Sequence, residues 1–161
     1  MEERPKIKIP LSAADKIMEA VALLLLLIMW AAILLTYSHL PQQVPLHFNA
    51  SGEIDRYGSK AELFIVPAIA TLLYIALSFL NDYPHVFSYI RKVHRRNARI
   101  LYTNSTKMLR MLKLSLMIIF CAIVFFSFRA AFNGAGLEKW FLPVAIVLVL
   151  LPNLYLLRKP K

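Results

Sequence analysis

Four apolar runs, at roughly residues 18–37, 63–80, 114–128 and 140–157, alternate with polar segments along this chain. Each equals or approaches the about 20 residues that an α-helix needs to cross a ~30 Å hydrocarbon layer. The pattern predicts an all-α integral membrane protein, with four transmembrane helices packed as an antiparallel bundle in a single domain over 1–161. The third run is the shortest. Lys113 and Arg129 complete it, laying their stems along the apolar region while their charges reach the interfaces. The first run, Ala20 to Leu35, is followed by no small-residue cleavage pattern and by three further spans, so it reads as a retained signal anchor.

Two polar segments break the rhythm in different ways. Residues 38–62 are rich in turn formers: Pro41 and Pro45 stiffen an extended stretch, Gly52 and Gly58 permit turns, and Asn49, Ser51 and Asp55 can bond local backbone. This predicts a compact loop. Ser59 with Glu62 forms a capping box that starts the second span directly after it, and Ser12 with Asp15 makes a weaker cap before the first. If the second helix runs unbroken from Lys60, Pro67 lies inside it and favours a kink. Pro143 and Pro152 shape the fourth helix, with Asn153 satisfying a neighbouring polar group.

Residues 81–113 are basic and periodic. From Ile90 to Lys113, at 100° per residue, Lys92, Arg96, Arg99, Lys107, Arg110 and Lys113 gather on one side. Ile90, Val93, Leu101, Met108, Met111 and Leu112 gather on the other. With no Gly or Pro between His85 and Asn133, an amphipathic basic helix is expected to feed into the third span. Its basic face suits anionic lipid headgroups or an acidic cytoplasmic partner, with Lys92, Arg96, Arg99, Lys107 and Arg110 as the contact residues.

Composition agrees with the membrane reading, because 59% hydrophobic residues in 161 exceed what one small soluble domain can bury. The net charge of +10 is then an orientation signal rather than a nucleic-acid footprint. Fifteen of the 19 Lys and Arg fall in the amino-terminal tail, the 81–113 loop and the carboxy-terminal tail; the other four are Arg56, Lys60, Arg129 and Lys139. Both termini are therefore expected in the cytoplasm and the 38–62 loop outside. Cys121, the single cysteine, falls mid-span as a packing residue, which excludes an intrachain disulfide. Acidic, basic and His residues are absent near the span midplanes, which argues against an ion relay or secondary transport. Trp30 is deep enough to pack between helices, whereas Tyr37 and Trp140 suit the outer interface.

The candidate chemistry lies in the outer loop. His47, held between Leu46 and Phe48, is placed to bond a loop carbonyl or Asp55. With Glu53 and His39 near in sequence, it is also a candidate acid/base or zinc ligand, though the spacing matches no metal signature. The chain has no serine elbow, helical zinc-protease His pair, phosphate-binding glycine loop or cysteine nucleophile. No cofactor is expected.

The pattern Leu40-Pro41, Val44-Pro45, His47-Phe48-Asn49, Gly52, Asp55, then Gly58-Ser59-Lys60 resembles the membrane domain of unknown function that heads the SdpI-type toxin-immunity proteins of bacteria. The resemblance covers the first two spans and their loop, and Tyr83-Pro84-His85 is similar to short stand-alone members. It implies a bacterial cytoplasmic-membrane protein and, in the SdpI branch, protection against a membrane-active peptide and sequestration of a cytoplasmic repressor. SdpI-type proteins have additional spans and a characteristic carboxy-terminal region, whereas this chain has four spans, so function has to be argued from a site.

The expectation is a binding or sensor protein. Pro45, His47, Asn49, Gly52, Asp55, Gly58 and Lys60 would receive a peptide, lipid or envelope component, and the basic helix would meet lipid or a cytoplasmic protein. The alternatives are a metal-dependent membrane enzyme using His47 and Asp55, with Lys60 as an electrostatic stabiliser, and a non-catalytic scaffold. Self-association suits the large lipid-facing surface, although no small-xxx-small pattern demands it.

Overall fold

The computed structural model of the chain describes residues 4–158; Lys159 and Lys161, which contribute to the orientation count, lie outside the described residues. Among the described residues four α-helices and one hairpin carry the fold: α1 (Ala13–Thr36), β1 (Gln43–Phe48), β2 (Ile54–Ser59), α2 (Ile65–Asn81), α3 (Ala98–Asn133) and α4 (Phe141–Arg158). The first three helices are long and apolar enough to cross a membrane, and Phe141–Leu154 of α4 forms a shorter apolar stretch.

α1 packs through Ala22, Leu26, Met29 and Ile33, whose spacing of four, three and four residues keeps them on one stripe. Around that stripe Leu23, Leu24, Leu27, Leu34 and Leu35 are exposed, a helix apolar on every side as lipid demands. The stripe joins Ala70 of α2 and Met117 and Val124 of α3 in the main core. Trp30 packs between helices as expected and donates its indole N–H to Thr71 Oγ1 at 3.0 Å; Thr71 in turn donates to Pro67 O at 2.7 Å.

Both capping boxes form. The Ser59–Glu62 box opens a tight 3-10 turn, Lys60–Phe64, rather than the α-helix itself. α2 starts only at Ile65, so Pro67 sits in its first turn, where a missing N–H costs nothing. The condition for a Pro67 kink is therefore not met. Pro152 is inside α4 and cannot donate to Leu148 O. Ser115 Oγ of α3 donates to that carbonyl at 2.9 Å, and Asn153 Nδ2 donates to Val149 O at 2.6 Å.

The segment predicted as a basic helix from Ile90 is corrected at its start. Residues 87–97 are bends and turns, because Asn97 Oδ1 accepts from His94 N at 2.7 Å while its Nδ2 donates to Lys92 O at 3.0 Å. Lys92 and Arg96 therefore lie off the helix, although both remain exposed. From Ala98 the helix continues unbroken through the third apolar run for 36 residues. At 1.5 Å per residue it is about 54 Å long and outreaches a ~30 Å hydrocarbon layer. Its first turns pack Ala98, Leu101 and Tyr102 against Ile9, Tyr89 and Val93, a satellite core at the basic end. Val93 and Leu101, two residues of the expected apolar face, are thus covered by the chain itself. Burial pushes the Tyr89 phenol above its ordinary range, and the neutral hydroxyl donates to Pro84 O at 2.8 Å.

The segment predicted as a compact loop is instead a two-stranded antiparallel hairpin. Val44 is fully buried in the main core with Leu40 and Leu63, so β1 plugs one end of the bundle.

Candidate functional site

Hairpin pairing runs from Gln43 opposite Ser59 to Phe48 opposite Ile54, and slips twice, leaving Leu46 of β1 and Asp55 of β2 without partners. Such bulges re-aim side chains. Here His47 is opposite Arg56, and the neighbouring Asp55 brings Oδ1 to 2.6 Å from His47 Nδ1. Their side chains are 63% and 40% exposed, so the pair stands in solvent. With Nδ1 committed to the carboxylate, Nε2 is left to donate, accept or ligate.

The turn between the strands is built by Asn49. Its Oδ1 accepts from Ser51 N at 2.9 Å and from Glu53 N at 3.0 Å, and its Nδ2 donates to Glu53 Oε2 at 3.0 Å. Glu53 is therefore occupied within the turn rather than paired with His47. Gly52 takes a φ of +84°, and its carbonyl accepts from Leu137 N at 2.7 Å. A Cβ at Gly52 would run into the Leu137 carbonyl, and one at Gly136 would stand 2.5 Å from Gly52 O. The two glycines let two backbones meet, docking the hairpin tip onto the loop between α3 and α4. Arg129 ties that loop back to α3 through Glu138 at 2.7 Å, with its half-exposed charge at the helix end.

Four of the seven proposed ligand residues serve the scaffold. Pro45 is buried in β1. Gly58 lies within β2 and not at a turn; a Cβ there would meet Leu46 and stand 2.5 Å from Glu62 Oε1. Lys60 turns inward, donating to Tyr37 O at 3.1 Å and Leu40 O at 3.3 Å with its ammonium 4.7 Å from the Tyr37 ring centre, so it secures the end of α1. Gly52 makes the docking contact just described. His47, Asp55 and Asn49 remain near the surface.

Docking the tip leaves two clefts that share Gly52, Leu137, Glu138 and Lys139. One, about 480 Å³, is lined by apolar Leu46, Phe48, Ile123, Phe141 and Leu142 together with polar His47, Asn49, Glu138 and Lys139. The other, about 650 Å³, includes Ser51, Arg129 and Trp140. Sequence reading missed the α3–α4 side of both clefts, although Gly134-Ala135-Gly136 marks a close-approach loop. Among the described residues no three His, Cys, Asp or Glu side chains gather closely enough to hold a metal ion.

At the basic end the structure corrects two assignments. Arg110, proposed to meet headgroups or a partner, is only 7% exposed; its Nη1 lies 3.9 Å from Asp15 and its Nε 3.4 Å from Glu19. Lys113 does not reach out to an interface: at 1% exposure its Nζ is 2.5 Å from Glu19 Oε2 and 2.8 Å from Ser78 Oγ, over the Tyr74 ring. This cluster joins α1, α2 and α3. Arg99 remains exposed and Lys107 is half-buried.

The model of a domain of unknown function, DUF1648, matches residues 24–71, from mid-α1 through the hairpin into α2. An uncharacterized protein of Archaeoglobus fulgidus is 41% identical over 83 residues, covering 47% of this chain. The alignment takes in 45% of that relative, so the chain matches less than half its length. No solved structure matches the chain.

Proposed function

We propose that this chain is a four-span receptor of the bacterial cytoplasmic membrane, both termini inside, whose hairpin faces outward and binds an amphipathic, membrane-active peptide. The observation that carries the reading is the 480 Å³ cleft, which brings apolar side chains of β1, α3 and α4 together with the polar groups of His47, Glu138 and Lys139. An amphipathic peptide has the matching two faces, and apolar pockets with a few placed polar groups are the usual form of ligand sites. The excess of Lys and Arg at the opposite end supports the orientation. The SdpI-type resemblance supports the choice of peptide.

Trp140, beside the cleft, provides a reporter. In a Trp30→Phe protein in nanodiscs, titration with a synthetic cationic amphipathic peptide should give a saturable blue shift of Trp140 emission. His47→Ala or Leu142→Gln should weaken it by about tenfold, the loss expected from one charge-assisted hydrogen bond or one buried aliphatic side chain. A linear emission change, equal in all variants, would mean that the peptide only partitions into lipid. The exposed His47–Asp55 pair favours a second reading, a metal-dependent membrane enzyme, which stoichiometric metal lost in His47→Ala would bring forward.

A further inference from the structure

A third cavity, about 740 Å³, lies at the basic end between the amino-terminal segment, the end of α2 and the middle of α3. Arg4 holds that segment in place by donating to Phe87 O at 2.6 Å and His85 O at 3.1 Å. The walls are apolar, from Ile7, Ile9, Leu11 and Pro84, and the polar side carries Lys8, Glu19, Ser78, Asn81, Asp82 and Arg110. Asn81 is 7% exposed, and neither its Nδ2 nor its Oδ1 has a hydrogen-bond partner. Arg110 Nε, although 3.4 Å from Glu19 Oε1, likewise makes no hydrogen bond. Buried amides left in this state are uncommon and costly. Asn81 is one of the residues lining the cavity, so a ligand held there can supply the partners that its amide lacks.

We propose that this cavity binds a zwitterionic headgroup carrying a phosphate diester and a primary ammonium, as in phosphatidylethanolamine. The reasoning rests on charge and on donor count. Lys8 and Arg110 are balanced by Glu19 and Asp82 among the lining residues, so a simple anion would add uncompensated charge whereas a zwitterion would not. Phosphate oxygens accept from Arg110, Lys8 and Asn81 Nδ2, while the ammonium donates to Asn81 Oδ1 and the Asp82 carboxylate. A quaternary ammonium has no N–H to donate. The apolar walls suit the start of acyl chains, which favours a membrane lipid over a soluble phosphoethanolamine. The cavity volume falls in the usual range for small-ligand sites, about 300–1,000 Å³.

The test is native mass spectrometry of the full chain released from nanodiscs containing equal phosphatidylethanolamine, phosphatidylcholine and phosphatidylglycerol. One phosphatidylethanolamine should stay bound, with about tenfold preference over each of the others, as loss of one charge-assisted hydrogen bond implies. Excess soluble phosphoethanolamine should fail to displace it; displacement would keep the headgroup chemistry but overturn the lipid as its source. Asn81→Leu should abolish the preference, as should the paired surface variant Lys8→Ala with Asp82→Asn, which leaves the buried residues untouched. Equal retention of all three lipids, or a preference unchanged by either variant, would overturn the proposal and leave the cavity to water.

Discussion

Lys113→Met is expected to destabilise the protein by about 3–5 kcal/mol, the usual cost of removing one partner from a buried ion pair. The buried cluster holds Asp15 and Glu19 against Arg110 and Lys113, two charges of each sign. Without Lys113 a net negative charge stays among three packed helices, and Ser78 Oγ loses the hydrogen bond that Lys113 Nζ donates to it. Adding Glu19→Gln restores neutrality, so the double variant should recover most of the loss, as replacements of whole buried pairs often do. Denaturation by SDS in mixed micelles measures both. Additive losses would show that the two side chains act separately.

Gly52→Ala is expected to separate the hairpin tip from the α3–α4 loop, at a cost of roughly 2–5 kcal/mol. Left-handed backbone with a Cβ contributes about 1–2 kcal/mol, and the overlap with the Leu137 carbonyl a further ~1–3 kcal/mol. Gly136→Ala meets the same contact from the other side with no positive φ, so it should cost less. Hydrogen exchange at the Leu137 amide, which donates to Gly52 O, reports the contact directly. Rapid exchange in Gly52→Ala with an intact helical spectrum is the predicted result. Unchanged protection would mean that the loop adapts to the methyl group.

These two sites show what sequence can and cannot disclose here. The apolar runs are visible because lipid demands length and composition: α1 and α2 follow theirs closely, whereas α3 extends well beyond the expected 114–128 at both ends. Local turn chemistry is visible as well: the capping boxes at Ser12 and Ser59, the Asn49 turn and the His47–Asp55 contact all join residues within eight positions. The strands are hidden because Pro45 and two slips in pairing break the period-two alternation that marks a hairpin. The 87–97 turn is hidden for the opposite reason, since basic and apolar residues there mimic helical periodicity while Asn97 bonds the backbone before it. Lys113 and Glu19 stand 94 positions apart, and only the packing of α1 against α3 brings them together.

The motif itself changes meaning once its geometry is known. Pro45, Gly52, Gly58 and Lys60 shape and dock the hairpin, so that His47, Phe48 and Asn49 line a cleft whose other wall comes from α3 and α4. The DUF1648 match covers the hairpin and stops before that second wall.

The most direct test labels the hairpin from outside the cell. In a Cys121→Ala chain carrying Ser51→Cys, at an exposed turn position beside the cleft, a membrane-impermeant maleimide should react in intact cells. Saturating amphipathic peptide should slow the reaction several-fold, while labelling of Arg95→Cys, at the basic end, should require permeabilised cells. Reaction of Ser51→Cys only after permeabilisation, or at a rate indifferent to peptide, would contradict an outward-facing receptor cleft.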